Sequence, residues 1–386
     1  MMERRRFLKY AMAAAGAGIC PWPVVKALAE DAAPKSGKQA KPGISTNDKR
    51  FVREAMFYET LGNGDVRCLL CPRQCEVSDG ERGECGVREN RDGRYHTLVF
   101  GRAVAFHNDP IEKKPFYHFH PGTMVLSAAT AGCNIHCKFC QNWQISQFRP
   151  EEVESQFLPP EKITLTAIEN QVPNVAFTYA EPTIFYEYMF ETARLAKNYG
   201  VNPVVVSNGF ISPDAVKKLA PHLSAYKVDL KAFTEDYYRD VCSARLAPVL
   251  ETLKILAGTG VWLEIVNLVL PTLNDHEKDV RAMARWIREN TGPDTPLHFT
   301  RFYPMYKMQN LPPTPVSTLE NMHRWATEEG LHYVYIGNVP GHPSGNTICP
   351  GCKRVLIHRT GMWDVEVMIK DGRCPSCGKE IPGVWS

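Results

Sequence analysis

Apolar runs recur through the middle of the chain at 124–128, 175–179, 203–207, 225–230, 261–270, 297–302 and 333–336. Stretches with helical spacing separate most of them. One puts Phe185, Met189, Ala193 and Ala196 on a single face and stops at Gly200; another carries Val280, Met283 and Ile287 and stops at Gly292. Alternating strand and helix predicts a parallel sheet with right-handed crossovers. About six or seven such units fall short of an eight-fold ring, so the expected fold is α/β, an incomplete, splayed (β/α) barrel. In such a barrel, chemistry gathers at the C-terminal ends of the strands.

The pattern changes on both flanks. Between two late Cys-x2-Cys pairs, Val355-Leu-Ile-His and Val365-Glu-Val-Met-Ile read as short alternating strands. The expected organisation is a leader over 1–29, a linker over 30–50, a cysteine-rich module over 51–120, the barrel over 121–345 and a ribbon over 346–386.

Composition adds two constraints. Residues 1–50 hold ten Lys/Arg against four Asp/Glu, a net of +6, so the remaining residues carry −3 of the chain's total of +3. Charge therefore gives no reason to expect nucleic-acid binding by the body. Arg4-Arg5-Arg6-Phe7-Leu8-Lys9 fits the twin-arginine export pattern. A short apolar run over 11–19 and the small-residue site Ala27-Leu28-Ala29 complete a signal too short to span a membrane. Periplasmic location is the expectation, with cytoplasmic location the alternative if the signal is inefficient. Residues 30–50 have a flexible-linker composition.

Of thirteen cysteines, eleven fall into three clusters with metal-ligand gaps, which argues against a disulfide framework. Cys20 stands in the leader, and Cys242 reads as a small buried hydrophobe. The first cluster is Cys68, Cys71, Cys75 and Cys85, among Gly80, Gly83 and Gly86; four thiolates close a site, either zinc or an auxiliary iron–sulfur cluster. The last is Cys349, Cys352, Cys374 and Cys377, a ribbon for zinc or iron. The middle one, Cys133, Cys137 and Cys140, follows the first barrel strand directly. Three thiolates hold three irons of a 4Fe–4S cube and leave the fourth open to a small molecule.

The spacing C-x3-C-x2-C, with Phe139 before the last cysteine, resembles the signature of radical S-adenosylmethionine enzymes. That resemblance implies that the open iron chelates the methionine end of S-adenosylmethionine and that Phe139 packs near the adenine. It assigns Glu181, in Tyr179-Ala180-Glu181-Pro182, to the methionine amine, with Tyr179 and Ala180 standing where the family has glycines. Ser207 and Asn208 are expected near the ribose, and Asp229 and Lys231, in an Asp-Leu-Lys stretch, at the methionine carboxylate. Glu264, Asn267, His298 and Arg301 are weaker candidates from the later strands, and Gly337-Asn338 is expected to close the cavity.

Over residues 51–386 the chain resembles the AmmeMemoRadiSam-system branch, related to pyruvate formate-lyase activating enzyme. Cys-Leu-Leu-Cys-Pro-Arg-Gln-Cys from Cys68, Cys-Lys-Phe-Cys-Gln-Asn-Trp from Cys137 and Val-Tyr-Ile-Gly-Asn-Val-Pro-Gly-His from Val334 carry this likeness. It implies hydrogen abstraction by a 5′-deoxyadenosyl radical, with a low-potential electron donor and an unidentified small-molecule or protein substrate. Two alternatives stand beside it: activation of a glycyl-radical enzyme, and an exported metal-binding protein without turnover. Oligomeric state is not legible.

Overall fold

The computed structural model describes residues 48–385; the export pattern, Cys20 and nearly all of the linker lie outside the described residues. An eight-stranded sheet runs in sequence order, as β1 (Ala105–Pro110), β2 (Met124–Ala129), β3 (Asn174–Phe177), β4 (Asn202–Ser207), β5 (Ala225–Asp229), β6 (Trp262–Val269), β7 (Leu297–Arg301) and β8 (Val334–Gly337). From β2 onward every pairing is parallel. The added strand, β1, lies antiparallel to β2, with Ala105 opposite Ala129 and Pro110 opposite Met124. The pattern of apolar runs missed it because Ala-Phe-His-Asn-Asp-Pro is a polar edge strand that has no apolar face to show. β1 and β8 do not pair with each other, so the ring stays open.

Helices α1 (Pro160–Glu169), α2 (Tyr186–Asn198), α3 (Pro213–Leu219), α4 (Glu235–Cys242), α5 (Leu246–Ala257), α6 (Glu277–Asn290) and α7 (Val316–Glu328) fill the crossovers. Their apolar faces, with Ile163, Ala193, Val216, Leu253, Ile287 and Met322, pack into the large core outside the sheet. A smaller core lies on the other face. There Val125, Ala176, Val204 and Ala225, near the N-terminal ends of their strands, meet Ile111, Phe116 and Phe119 from the β1–β2 connection. That connection is the barrel floor.

A carboxylate anchors it. Glu264 on β6 is fully buried and accepts hydrogen bonds from Tyr117 N (3.0 Å), His118 N (2.8 Å), Trp262 Nε1 (3.0 Å) and His298 Nε2 (2.7 Å). Burial alone would raise its pKa, but His298 and these donors hold it below the usual carboxylate range. Burial lowers the pKa of His298, so the pair is an anion satisfied by neutral donors.

The C-terminal ribbon covers the open side. Its strands β9 (Thr347–Ile348), β10 (Val355–Arg359) and β11 (Val365–Val367) are antiparallel. Leu356 and Ile357 pack with Tyr333 and Tyr335 at the β8 edge. Arg359 donates to Tyr117 O (2.8 Å) and Thr347 Oγ1 (3.0 Å), and its Nε lies 3.7 Å from Glu112. Val384 exchanges backbone hydrogen bonds with the floor, His120 N to Val384 O at 2.8 Å and Val384 N to His118 O at 2.7 Å. The ribbon thus ties β8 to the β1–β2 connection where the sheet does not close.

The N-terminal module contains two small antiparallel sheets of three strands each. It docks on α2 through a buried bidentate pair, Arg88 Nη1 and Nη2 to Glu187 at 2.9 and 2.8 Å, and Glu187 also accepts from Met56 N. Among the described residues, no helix is long and apolar enough to cross a membrane.

Replacing Glu264 by Ala strips four donors of their acceptor in a dry interior. Urea titration should show a loss of about 3–5 kcal/mol in unfolding free energy. A loss under about 1 kcal/mol would show that the floor does not depend on this carboxylate.

Candidate active site

The upper end of the barrel opens into a cavity of about 410 Å³. The loop after β2 brings Cys133, Cys137, Phe139 and Cys140 into its wall, and the ends of β3, β4 and β5 contribute Glu181, Ser207, Asn208, Asp229 and Lys231. Every cofactor-binding residue expected from the sequence therefore borders one space. Asn338 after β8 and Met362 from the ribbon lie at its edge.

The three thiols fit a metal cluster chemically. Burial pushes Cys133 and Cys140 up; Cys137 is raised first by its contact with the Cys242 thiol and then by burial. Soft thiolates whose protons are hard to remove in a dry site are neutralised by a cationic group in place of those protons. Their separation also matters. Among the described residues, the ribbon's Cys349, Cys352, Cys374 and Cys377 form the one group whose ligand atoms all lie within 4.8 Å of each other. Sulfurs sharing one tetrahedral ion at about 2.3 Å stand about 3.8 Å apart. The three barrel thiols are not all within 4.8 Å of one another, unlike sulfurs that share one ion.

Local structure fixes the loop. Cys140 Sγ lies 3.1 Å from Ser146 Oγ, and His136 N and Lys138 N donate to Cys242 O and Val241 O at the end of α4. Asn134 Nδ2 donates to Phe210 O (2.7 Å) and its Oδ1 accepts from Asn208 Nδ2 (2.9 Å). Cys242 thus does more than fill space: it supports the triad's loop by backbone and thiol.

The turn after β3 shows why two expected glycines are dispensable. Tyr179 adopts φ 64°, the left-handed conformation that glycine reaches without strain. Its ring and hydroxyl compensate: the hydroxyl bonds Asp109, Lys114 Nζ stands 4.1 Å over the ring, and Asn142 Nδ2 donates to its carbonyl at 2.7 Å.

Glu181 is buried and heavily engaged. Oε1 accepts from Thr183 N (2.9 Å), Thr183 Oγ1 (2.7 Å) and Ser207 Oγ (2.7 Å); Oε2 accepts from Asn208 N (2.8 Å). Three of the four bonds fall on Oε1 and one on Oε2, so Oε2 is the less engaged oxygen. Ser207 and Asn208, expected near the ribose, border the cavity and also serve their own turn. Ser207 Oγ also accepts from Gly209 N, and Asn208 Oδ1 accepts from Phe210 N. The tight turn after β4 leaves backbone donors that these side chains satisfy.

Asp229 clamps two lysines, Lys227 and Lys231, the latter at 2.7 Å. Lys231 Nζ also stands 5.9 Å from the Phe139 ring. A second cluster of the same composition sits across the cavity: Asp109 accepts from Lys113 (2.8 Å) and Lys114 (2.6 Å). Each cluster carries a net charge of +1. Lys227 was absent from the sequence expectations, although two residues before Asp229 puts it on the same strand face. Asp109 and Lys114 gave no signal because β1 itself was unrecognised.

Four weaker candidates fall elsewhere. Glu264 and His298 share the inward face but lie one layer below, in the floor. Asn267 points the other way and donates to Leu230 O, and Arg301 donates to Thr314 O. Val266, Leu268 and Thr300 line the cavity instead.

Residues 128–286 match the radical SAM superfamily. The uncharacterized protein MJ0808 of Methanocaldococcus jannaschii is 44% identical over 333 residues, covering 86% of this chain and 99% of that protein. The isethionate sulfite-lyase activating enzyme of Desulfovibrio desulfuricans is 31% identical over 110 residues, 28% of this chain and 35% of its own. A radical SAM methyltransferase structure from Sphaerobacter thermophilus aligns at 15% identity over 56% of this chain and 67% of that one, with a TM-score of 0.45.

The clamp should show in acid. Burial pushes the Asp229 carboxyl up, but Lys227 and Lys231 more than offset this and bring it down to about 2 from 3.8. A depressed pKa contributes stability that is complete above about pH 4 and is lost as pH falls through about 2. Asp229→Asn should therefore cost about 1–3 kcal/mol at neutral pH, and urea titrations should show the gap to the parent closing between pH 4 and pH 2. A gap that does not change with pH would contradict the clamp.

Proposed function

The chain belongs to the radical SAM superfamily, and from that premise we propose that it cleaves S-adenosylmethionine reductively and abstracts hydrogen from a substrate. What supports this reading is the convergence of Cys133, Cys137 and Cys140 with Glu181, Asp229 and Lys231 on one cavity at the strand ends. Cys133, Cys137 and Cys140 would hold a 4Fe–4S cluster, which would supply one-electron reduction of the sulfonium.

The chain's own residues bind and orient. Lys231, kept protonated by Asp229, pairs with the methionine carboxylate, and Glu181 Oε2, the less engaged carboxylate oxygen, takes the ammonium. Phe139, buried between Tyr237 and Lys231, flanks the adenine. Ser207 and Asn208 border the ribose and hold the turn that lets the backbone approach it. The Lys113–Asp109–Lys114 cluster leaves one positive charge facing the rest of the cavity, which favours a substrate with an anionic group. A low-potential donor supplies the electron. The ribbon thiols hold a single tetrahedral ion, zinc or iron, as a staple of the barrel seam.

Activation of a glycyl-radical partner is a second reading. It draws on the likeness to the isethionate sulfite-lyase activating enzyme and to the pyruvate formate-lyase-activating enzyme of Clostridium pasteurianum, each over a minor part of this chain. The twin-arginine pattern supports export of the folded, loaded enzyme. Sequencing the mature protein should then give a start at Glu30 in the periplasmic fraction; an intact Met1 in the cytoplasm would oppose export.

Anaerobic reconstitution and reduction should yield 5′-deoxyadenosine from S-adenosylmethionine, at least 100-fold faster than in a Cys137→Ala variant (roughly 3 kcal/mol of barrier). Equal rates in the two proteins would remove the enzymatic reading and leave the metal-binding protein without turnover. Deuterium transfer from a labelled glycine of a partner would favour the second reading over the first.

A further inference from the structure

The thiols of the N-terminal module stand outside the cavity, and no role for them follows from the reaction above. Cys68 ends the strand Val66–Cys68, and its N–H donates to Cys75 O at 2.9 Å, closing a tight loop around Cys71. Gln74 in that loop adopts φ 49°. Cys85 comes from a second loop, where Gly83 passes close by. A Cβ on Gly83 would lie 3.7 Å from Cys75 Sγ and only 2.6 Å from Tyr95 Oη. Glycine is required there so that two loops and a tyrosine meet at one centre. All four cysteines are free thiols.

Two further observations point to what that centre holds. The first is spacing. Among the described residues, these sulfurs do not form a group mutually within 4.8 Å, whereas the ribbon's do. The same chain thus shows one four-cysteine site at the spacing of a single ion and another that is wider. The wider site suits ligands that each hold a different metal atom.

The second is a pair of buried donors without acceptors. Tyr95 is fully buried and Arg88 is 1% exposed, yet Tyr95 Oη and Arg88 Nε have no hydrogen-bond partner in the protein. Both lie beside the thiols: the Cβ that Gly83 lacks would meet Tyr95 Oη on one side and Cys75 Sγ on the other, and the Arg88 guanidinium stands 5.6 Å from the Tyr95 ring centroid. Native interiors rarely leave such groups unsatisfied. Thiolates and bridging sulfides are the acceptors that would satisfy them. The site is also purely soft, since the nearby Glu187 is committed to Arg88 and Met56.

We propose that Cys68, Cys71, Cys75 and Cys85 hold a second 4Fe–4S cluster, with Tyr95 and Arg88 as hydrogen-bond donors to it. The site backs directly on the first cluster's loop. Cys85 O would lie 2.8 Å from a Cβ on Gly132, the residue before Cys133, and the Leu70 carbonyl accepts from Ser212 N in the loop after β4. The two clusters therefore share a wall, and the second is complete in itself, with four cysteines for four irons.

Acid-labile sulfide separates this site from the ribbon, whose single ion carries none. The full chain, reconstituted anaerobically, should contain about eight sulfides. A variant with Cys133, Cys137 and Cys140 all changed to Ala should keep about four, with a reduced-state paramagnetic signal unmoved by S-adenosylmethionine. A Cys71→Ala/Cys75→Ala variant should keep the other four, with a signal that S-adenosylmethionine shifts. If that shift is missing while the triple variant keeps its sulfide, the function proposed above fails and the second cluster stands. A triple variant that contains no sulfide and carries two zinc ions per chain would overturn the proposal. Should the double variant not fold, Tyr95→Phe in the triple background provides the check. Loss of its donor should lower the remaining cluster's reduction potential, and an unchanged potential would refute the assignment of Tyr95.

Discussion

A barrel that does not close must hold its interior by other means, and here a dehydrated carboxylate does so. Glu264 gathers two backbone amides, an indole and an imidazole at the floor. Its ionised form is tolerated because each lone pair meets a donor in a medium of low polarity. Those donors belong to the β1–β2 connection and to β6 and β7, so one side chain fixes the segment that plugs the barrel to strands remote from it in sequence. The ribbon then has a surface to dock on, and the seam between β8 and β1 is covered.

The same device recurs above the floor. Asp229 binds two lysines and Glu181 gathers four bonds, both at the strand ends. The charge balance differs by level. The floor is an anion among neutral donors, whereas at the strand ends the Asp229 cluster is net cationic and Glu181 is anionic with Oε2 the less engaged oxygen. A zwitterionic ligand with a carboxylate and an ammonium finds complements of both signs in that one cavity. Tyr179 belongs to this design too: its left-handed backbone is affordable because its hydroxyl and ring are held by Asp109 and Lys114.

Cysteine is used here in three geometries. The ribbon draws four sulfurs to the spacing of one ion, the barrel loop spreads three around an open cavity, and the N-terminal module surrounds a dry centre with four. Residue type and the short two- or three-residue gaps are similar throughout. The difference lies in which backbone segments meet: two knuckles on one hairpin, one loop facing a cavity, or two loops that converge past Gly83.

The sequence by itself determined the seven parallel strands, the helices between them, the grouping of eleven cysteines and part of the cavity lining, from Phe139 to Lys231. These follow from local rules, since the strand period, the apolar helix face and ligand gaps are written in consecutive residues. Only the tertiary structure decided how far along the barrel axis each inward side chain lies. That separated Glu264 and His298 in the floor from Val266, Leu268 and Thr300 in the cavity, and turned Asn267 and Arg301 away from it. It also decided that Ser207 and Asn208 satisfy their own turn, that Lys227 joins Lys231 on Asp229, and that the polar strand β1 brings a second lysine cluster to the cavity. Layer, register and the distance between sulfurs are set by contacts between segments remote in sequence, and no local pattern encodes them.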